Sequence, residues 1–340
     1  MSKPRRSFKR WVPGLVVAIA LLGAVFIAMD WGQIRGALGQ ASWRPIPSAL
    51  AATAVSYFCI SYSFARVSHL LGIRMRSRDL TAVGFVTTVL NHLVSSGGAA
   101  GYSIRFLVMG RYGASLSEVI AASILHFYLT SLAMMAMLPV GLVYLMLHAS
   151  ISRMAAALLI VLTCLILLVS IVAAGMLFWG SMRKKVIRVL VKVARRVLPG
   201  EVRPNLERFD ETITVAMAAM RTQPMSLIVI MLLIVIDWAF SAAALWLCFG
   251  ALGVTLLPGQ LISGFVIGTV AGVASMIPGG LGVQEGSMAG VFNLQGVLLE
   301  RALLASILYR AVYFMVPYAV SLGFYWQLLH SGEAGPKAAD

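Results

Sequence analysis

The chain has 340 residues, 60% of them hydrophobic and only 11% charged, with a formal net charge of +15. A water-soluble domain of this length cannot hide so much apolar surface behind a charged exterior, so the composition excludes one. It points to helices in lipid, where each backbone polar group must be satisfied within its own segment.

A spanning helix needs about 20 apolar residues. The first candidate, 12–29, follows a basic lead-in of Lys3, Arg5, Arg6, Lys9 and Arg10. That pattern also suits a signal peptide, but no small-residue cleavage site follows and Asp30-Trp31 reads as an interfacial exit, so a retained helix is expected. Next come 46–65, a stretch near 80–110 broken by glycines, and full-length runs at 117–147 and 154–179. In 182–198, Met182, Val186, Leu190, Val193 and Val197 share one helical face with Lys and Arg on the other, an amphipathic helix suited to an anionic cytoplasmic leaflet. A second helix, 205–221, places Glu207, Asp210 and Glu211 to pair with it; docking a soluble partner is the other reading. Then follow 225–249, a second glycine-broken stretch at 259–299, a run at 302–326 and a polar tail, 327–340. Cys59, Cys164 and Cys248 each lie inside an apolar run and read as packing, not as a disulfide framework or a metal site.

Cytoplasmic loops retain Lys and Arg. Five precede the first run, four lie in 66–79 and ten in 181–222, against two in 30–45, one in 148–153 and none in 250–258. This places the N-terminus, 66–79 and 181–222 in the cytoplasm of a cell inner membrane protein. It also accounts for the net charge without a nucleic-acid partner. Since 66–79 and 181–222 share a side, and 117–147 with 154–179 already make two crossings, 80–110 must enter and leave on that side. By the same parity, 259–299 re-enters from the opposite face.

The expected fold is an all-α polytopic membrane protein of about six full spans plus two broken re-entrant hairpins in an inverted repeat. Residues 46–147 form the first repeat, 154–179 a linking span, 181–222 the cytoplasmic helices and 225–326 the second repeat. Three landmarks recur: Gly84-Phe85-Val86 with Gly264-Phe265-Val266; Gly97-Gly98 and Gly101 with Gly279-Gly280 and Gly282; and Ala122-Ser123-Ile124-Leu125 with Ala305-Ser306-Ile307-Leu308. A broken hairpin starts a half-helix inside the membrane, where unsatisfied N–H groups and the helix dipole attract an anion such as phosphate or carboxylate. Glycines let the backbone come close there, although close packing alone also explains Gly97, Gly98, Gly279 and Gly280.

Charges at membrane depth are costly and so informative. Arg105 and Arg310 suit phosphate or carboxylate ligands because the guanidinium fork donates paired hydrogen bonds. The competing reading is a structural pair, Glu285 or Asp237 with Arg310. Glu285, in the first turn of the second returning half-helix, would repel a phosphate there. It complements the dipole, pairs with an arginine, or carries a proton. Asp237, Asn91 and His92 can line a cavity or bond neighbouring helices; His126 reads as a packed, satisfied histidine.

The run Ile277-Pro278-Gly279-Gly280-Leu281-Gly282-Val283-Gln284-Glu285-Gly286, followed by Leu308-Tyr309-Arg310 and Pro317, resembles the transmembrane region of lysylphosphatidylglycerol synthases, a flippase-like membrane domain also found in stand-alone proteins. The likeness covers nearly the whole chain. It implies that Pro278, Gly279, Gly280, Gly282, Glu285, Tyr309 and Arg310, with Gly97, Gly98, Gly101 and Arg105, handle an anionic or aminoacylated phospholipid or a related lipid carrier. Arg105 matches the family's arginine after the first glycines. Ser95-Ser96 stands where the family has a proline, and His126-Phe127-Tyr128 with Thr130 stands near its Glu-Arg…Asp cluster. Full synthases add a soluble aminoacyl transferase; here the chain stops after a short tail, so no enzyme activity, catalytic residue, metal or cofactor is expected. Membrane lipids are the expected partners, with a homo-oligomer and a separate lipid-modifying enzyme left open. Two other classes stay in view: a membrane-embedded enzyme acting on lipid headgroups, and a small-ion or small-molecule transporter on the same architecture.

Overall fold

The computed structural model describes residues 40–93, 99–149, 152–182 and 223–331, with isolated positions at 32, 36, 39, 184–186, 188, 189, 214 and 218. The expected first span 12–29, the pair Gly97-Gly98, most of 181–222 and most of the tail lie outside the described residues. The described residues form only helices and turns. These are α1 (Ile46–Leu70), α2 (Ser77–Leu93), α3 (Ala99–Arg111), α4 (Leu116–His148), α5 (Arg153–Phe178), α6 (Pro224–Ala251), α7 (Pro258–Ala274), a 3-10 turn (Pro278–Gly280), α8 (Val283–Leu294), α9 (Leu299–Arg310), a π-helical turn (Ala311–Met315) and α10 (Val316–Ser331). The chain is an all-α polytopic membrane protein. Five helical stretches among the described residues, including the continuous Leu299–Trp326, are long and apolar enough to cross a membrane, and they coincide with the runs read from the sequence.

Local chemistry sets the ends. Ser115 caps α4 and receives Glu118 in return, a reciprocal pairing that satisfies two orphan donors. Prolines open α6 and α7 at positions whose N–H has no helical partner. The π turn is a local feature not expected from sequence. Pro317 has no N–H to offer the carbonyl one turn back and its ring crowds that carbonyl, so the helix widens just before it.

The centre is the α1–α6 pair, the most extensive helix contact among the described residues. The two helices run antiparallel. The Ser42 N–H just ahead of α1 bonds the Ala251 carbonyl that ends α6, at 2.8 Å. Ala49, Ala52 and Tyr57 near the start of α1 share a core with Ala242–Phe249 near the end of α6, whereas Ile230 and Ile234 near the start of α6 join Ile60–Leu70 at the end of α1. α5 lies outside this core, with Leu158, Val161, Leu165, Leu168 and Ile171 exposed to the surroundings.

Each half then folds a broken hairpin against its central helix. α3 and α8 have 13 and 12 residues, about 18–20 Å of helix and short of the ~30 Å hydrocarbon core. Both hairpins leave where they enter. Leu80 near the start of α2 shares a core with Val108 and Met109 near the end of α3. At the other mouth Gln260 donates to the Gln295 carbonyl at 3.2 Å, and Gln295 donates to Ser263 at 2.6 Å. The first mouth follows the end of α1 and the second the end of α6, so the antiparallel pair puts them at opposite ends of the molecule. Packing partners exchange with the halves: α2 lies on α10 of the second half, and α7 on α4 of the first.

The repeated Gly-Phe-Val is used alike at its Phe and Val, while its glycines make room for different neighbours. A side chain on Gly84 would meet the Ser61 carbonyl of α1 at 2.8 Å, and one on Gly264 would collide with the Phe292 ring of the returning arm α8. Phe85 sets its ring edge-on to Tyr57 at 5.6 Å, and Phe265 does so to Trp238 at 5.8 Å. Val86 and Val266 are buried. The residue after each Ala-Ser-Ile-Leu is also used alike. His126 bonds Ser63 of α1 at 2.8 Å, and Tyr309 bonds Ser241 of α6 at 2.9 Å.

Candidate functional site

The second hairpin turns on three glycines at positive φ: Gly279, Gly280 and Gly282. Gly280 also brings the backbone against the Cα of Gly272 in the entering arm, where an added Cβ would sit at 3.0 Å. α8 starts immediately afterwards. Its first-turn Glu285 reaches back, and one carboxylate oxygen accepts the Gly282 N–H at 2.8 Å. The anion at this helix start is therefore the protein's own carboxylate. The other carboxylate oxygen accepts from Nε of Arg310. Arg310 also donates from Nη1 to the Gly279 carbonyl at 2.9 Å and from Nη2 to Gln284 at 3.3 Å, with its guanidinium 4.9 Å from the centre of the Phe314 ring.

Of the two readings of Arg310, headgroup ligand or half of a structural pair, this geometry realises the pair, and the acid is Glu285. The alternative pairing with Asp237 is not formed. Asp237 accepts from Ser56 of α1 at 2.5 Å, and Ser56 is also 2.7 Å from the Tyr313 hydroxyl. Tyr313 stacks on Tyr309 at 5.1 Å, as expected for residues one turn apart on a helix face.

In the first hairpin, Gly101 lies in the first turn of α3. Arg105 is buried and donates from Nε to Thr87 of α2 at 3.0 Å, with its guanidinium 3.9 Å above the Phe64 ring of α1. It ties the returning arm to the entering arm and to the central helix. His92 at the end of α2 bonds the Tyr57 hydroxyl at 2.9 Å and sets its ring against Phe314 at 5.3 Å. Asn91 beside it is half-buried. α2 also packs against the Pro278–Gly280 turn, so the entering arm of the first hairpin meets the turn of the second. His92, Tyr57, Tyr309, Tyr313 and Phe314 lie between them. His126 is a buried histidine bonded to Ser63, the packed role read from sequence.

A cavity of about 740 Å³ runs beside this cluster between α1, α2 and α10, within the size range of small-molecule sites. Its long walls are apolar, with Leu50, Phe58, Phe85, Val316, Val320 and Phe324, and Tyr57 and Thr53 line it from α1. Ser77, Arg78, Asp79 and Thr81 close one end, at the mouth of the first hairpin. Phe58, Val320 and Phe324 are exposed, so the groove opens sideways, toward lipid in a membrane.

Sequence reasoning missed Ser56, Tyr57, Ser241, Tyr313 and this groove. The available signals were Ser56 and Ser63 seven residues apart on one face of α1, and Tyr309 with Tyr313 at helical spacing.

Residues 11–321 match the model of the family described as lysylphosphatidylglycerol synthase TM region. A UPF0104 membrane protein of Methanothermobacter thermautotrophicus is 20% identical over 308 residues, covering 88% of this chain and 90% of the relative. A phosphatidylglycerol lysyltransferase of Staphylococcus aureus is 32% identical over 103 residues, 30% of this chain but only 12% of that protein.

Proposed function

The chain belongs to the lysylphosphatidylglycerol synthase transmembrane-region family, and from that membership we propose that it moves a lipid with an anionic or aminoacylated headgroup, or a related lipid carrier, between the leaflets of the cell inner membrane. The observation that carries this reading is the groove between α1, α2 and α10. It is apolar along its length, open sideways and polar at one end, which is the shape and polarity of a lipid with its headgroup at the hairpin mouth. Arg78 with Ser77 and Thr81 suits an anionic group, and Asp79 beside them suits the cationic amine of an aminoacylated one. The groove ends against the cluster where the two hairpins meet. Opposed hairpins on an antiparallel pair suit a molecule that alternates access by moving one half against the other. The basic bias of 66–79 over 250–258 supports a cytoplasmic first mouth and a cytoplasmic N-terminus.

Reconstitution into liposomes carrying a trace of fluorescent lipid tests the proposal, with a membrane-impermeant quencher reporting the outer leaflet. Folded protein is expected to bring inner-leaflet phosphatidylglycerol or its aminoacylated form to the quencher faster than phosphatidylcholine. Ala54→Trp, which fills the groove, slows that movement. Unchanged leaflet distributions across a panel of anionic lipids and lipid carriers would contradict the reading, and turnover of the headgroup would replace it with a membrane-embedded enzyme.

A further inference from the structure

Asp237 sits halfway along α6, in the interior of the antiparallel pair. Among the described residues its carboxylate has one hydrogen-bond partner, Ser56, and no cation. The titratable groups facing it are Tyr57 and Cys59 of α1, Tyr309 of α9 and Tyr313 of the π turn, all of them neutral donors. Among the described residues the two buried arginines are committed elsewhere, Arg310 to Glu285 and Arg105 to Thr87 and Phe64. A buried acid without a counter-ion inside a membrane either keeps a proton or exchanges one, and such acids mark proton pathways in pumps and transporters.

The hydrogen bonds around it have a direction. A serine hydroxyl carries one proton, so when Ser56 donates to Asp237 the Tyr313 hydroxyl must donate to Ser56. The chain then runs from the π turn through α1 to α6 and joins the two halves at their shared axis. When Asp237 takes up one proton its carboxylate becomes a neutral carboxyl that can itself donate to Ser56. Ser56 then turns its own proton toward Tyr313, and the chain reverses. Tyr57, next to Ser56, lines the lipid groove and bonds His92 at the hairpin contact.

We propose that Asp237 is a protonation site that couples movement of the two halves, and hence of the lipid, to the proton gradient across the membrane. The coupling rests on the lipid-transport reading above; the protonation of Asp237 does not.

Two measurements on the full chain in liposomes separate these claims. Infrared difference spectra through a pH titration should contain a protonated-carboxyl C=O band that appears as pH falls and is missing in Asp237→Asn. In the lipid assay, the readout is the ratio of movement under an imposed pH gradient to movement at equal pH. With one proton per lipid, a one-unit gradient sustains up to about a tenfold leaflet asymmetry. The wild type should show that asymmetry, Asp237→Asn should bring the ratio to one, and Asp237→Glu should restore it. A gradient response that survives in Asp237→Asn, or a titrating band that Asp237→Asn leaves in place, overturns the proposal. A wild type that moves lipid equally with and without the gradient overturns the coupling alone. A wild type that moves no lipid under either condition overturns the transport reading and the coupling with it, while the infrared band still decides whether Asp237 titrates.

Discussion

Ser56 of α1 and Asp237 of α6 are hydrogen-bonded at 2.5 Å, and they are 181 residues apart. Nearly the same spacing, 180 residues, separates Gly84-Phe85-Val86 from Gly264-Phe265-Val266. Only residues close to a two-fold axis can touch their own counterparts, so this bond marks the axis relating the halves. Their neighbours obey the same relation: Tyr57 and Trp238 each receive the phenylalanine of their own half's Gly-Phe-Val edge-on.

The Glu285–Arg310 pair is expected to hold the second hairpin in place. Arg310→Ala leaves a buried carboxylate uncompensated, which costs about 3–5 kcal/mol. Glu285→Gln with Arg310→Met removes both charges and should be less destabilised than Arg310→Ala alone. Thermal or denaturant unfolding of the protein in lipid nanodiscs, analysed as a double-mutant cycle, checks the coupling. Additive effects of the two changes would mean the pair is not formed.

Glycines at close helix contacts should behave differently from glycines in open space. Gly84→Ala drives a methyl group into the Ser61 carbonyl, and Gly264→Ala drives one into the Phe292 ring. Each is expected to cost about 1–3 kcal/mol through overpacking. Gly290→Ala meets nothing within 4 Å, so it should be neutral or mildly stabilising, since alanine favours the helix. The same unfolding measurement ranks the three.

A lipid carrying a photoactivatable group on its acyl chain should label peptides containing Phe58, Val320 or Phe324, the exposed wall of the groove. Labelling should fall in Ala54→Trp, read by mass spectrometry of the digested protein. Equal labelling of the α5 face, where Leu158 and Ile171 are exposed, would mean that lipid is met only as bulk solvent.

Much of this was legible in the sequence because lipid makes a simple demand: a crossing helix must be long, apolar and uninterrupted. Hence the runs at 46–65, 117–147, 154–179, 225–249 and 302–326 each became a helix of nearly those bounds. The hairpins were legible because glycine interruptions left arms too short to cross. Partner choice was not. That Arg310 takes Glu285 and not Asp237 depends on α9 approaching the Pro278–Gly280 turn while α6 approaches α1, and a single sequence does not encode that juxtaposition locally. The same holds for Tyr57 and Tyr313, ordinary-looking tyrosines until antiparallel packing sets them between the hairpin ends. The groove was hidden for a similar reason: α10 supplies one wall from more than 220 residues beyond α1 and α2, and apolar walls look like any lipid-facing surface.

The account depends most on two hairpins that dip into the bilayer from opposite sides. Single cysteines placed in a chain whose own Cys59, Cys164 and Cys248 are replaced by alanine test this directly. Ser117→Cys lies at the exit of the first hairpin and Leu257→Cys at the entry of the second, both at exposed positions. In intact cells a membrane-impermeant maleimide should label Leu257→Cys and spare Ser117→Cys until the membrane is opened. Labelling of both from outside, or of Ser117→Cys alone, would contradict the opposed hairpins and the transport route built on them.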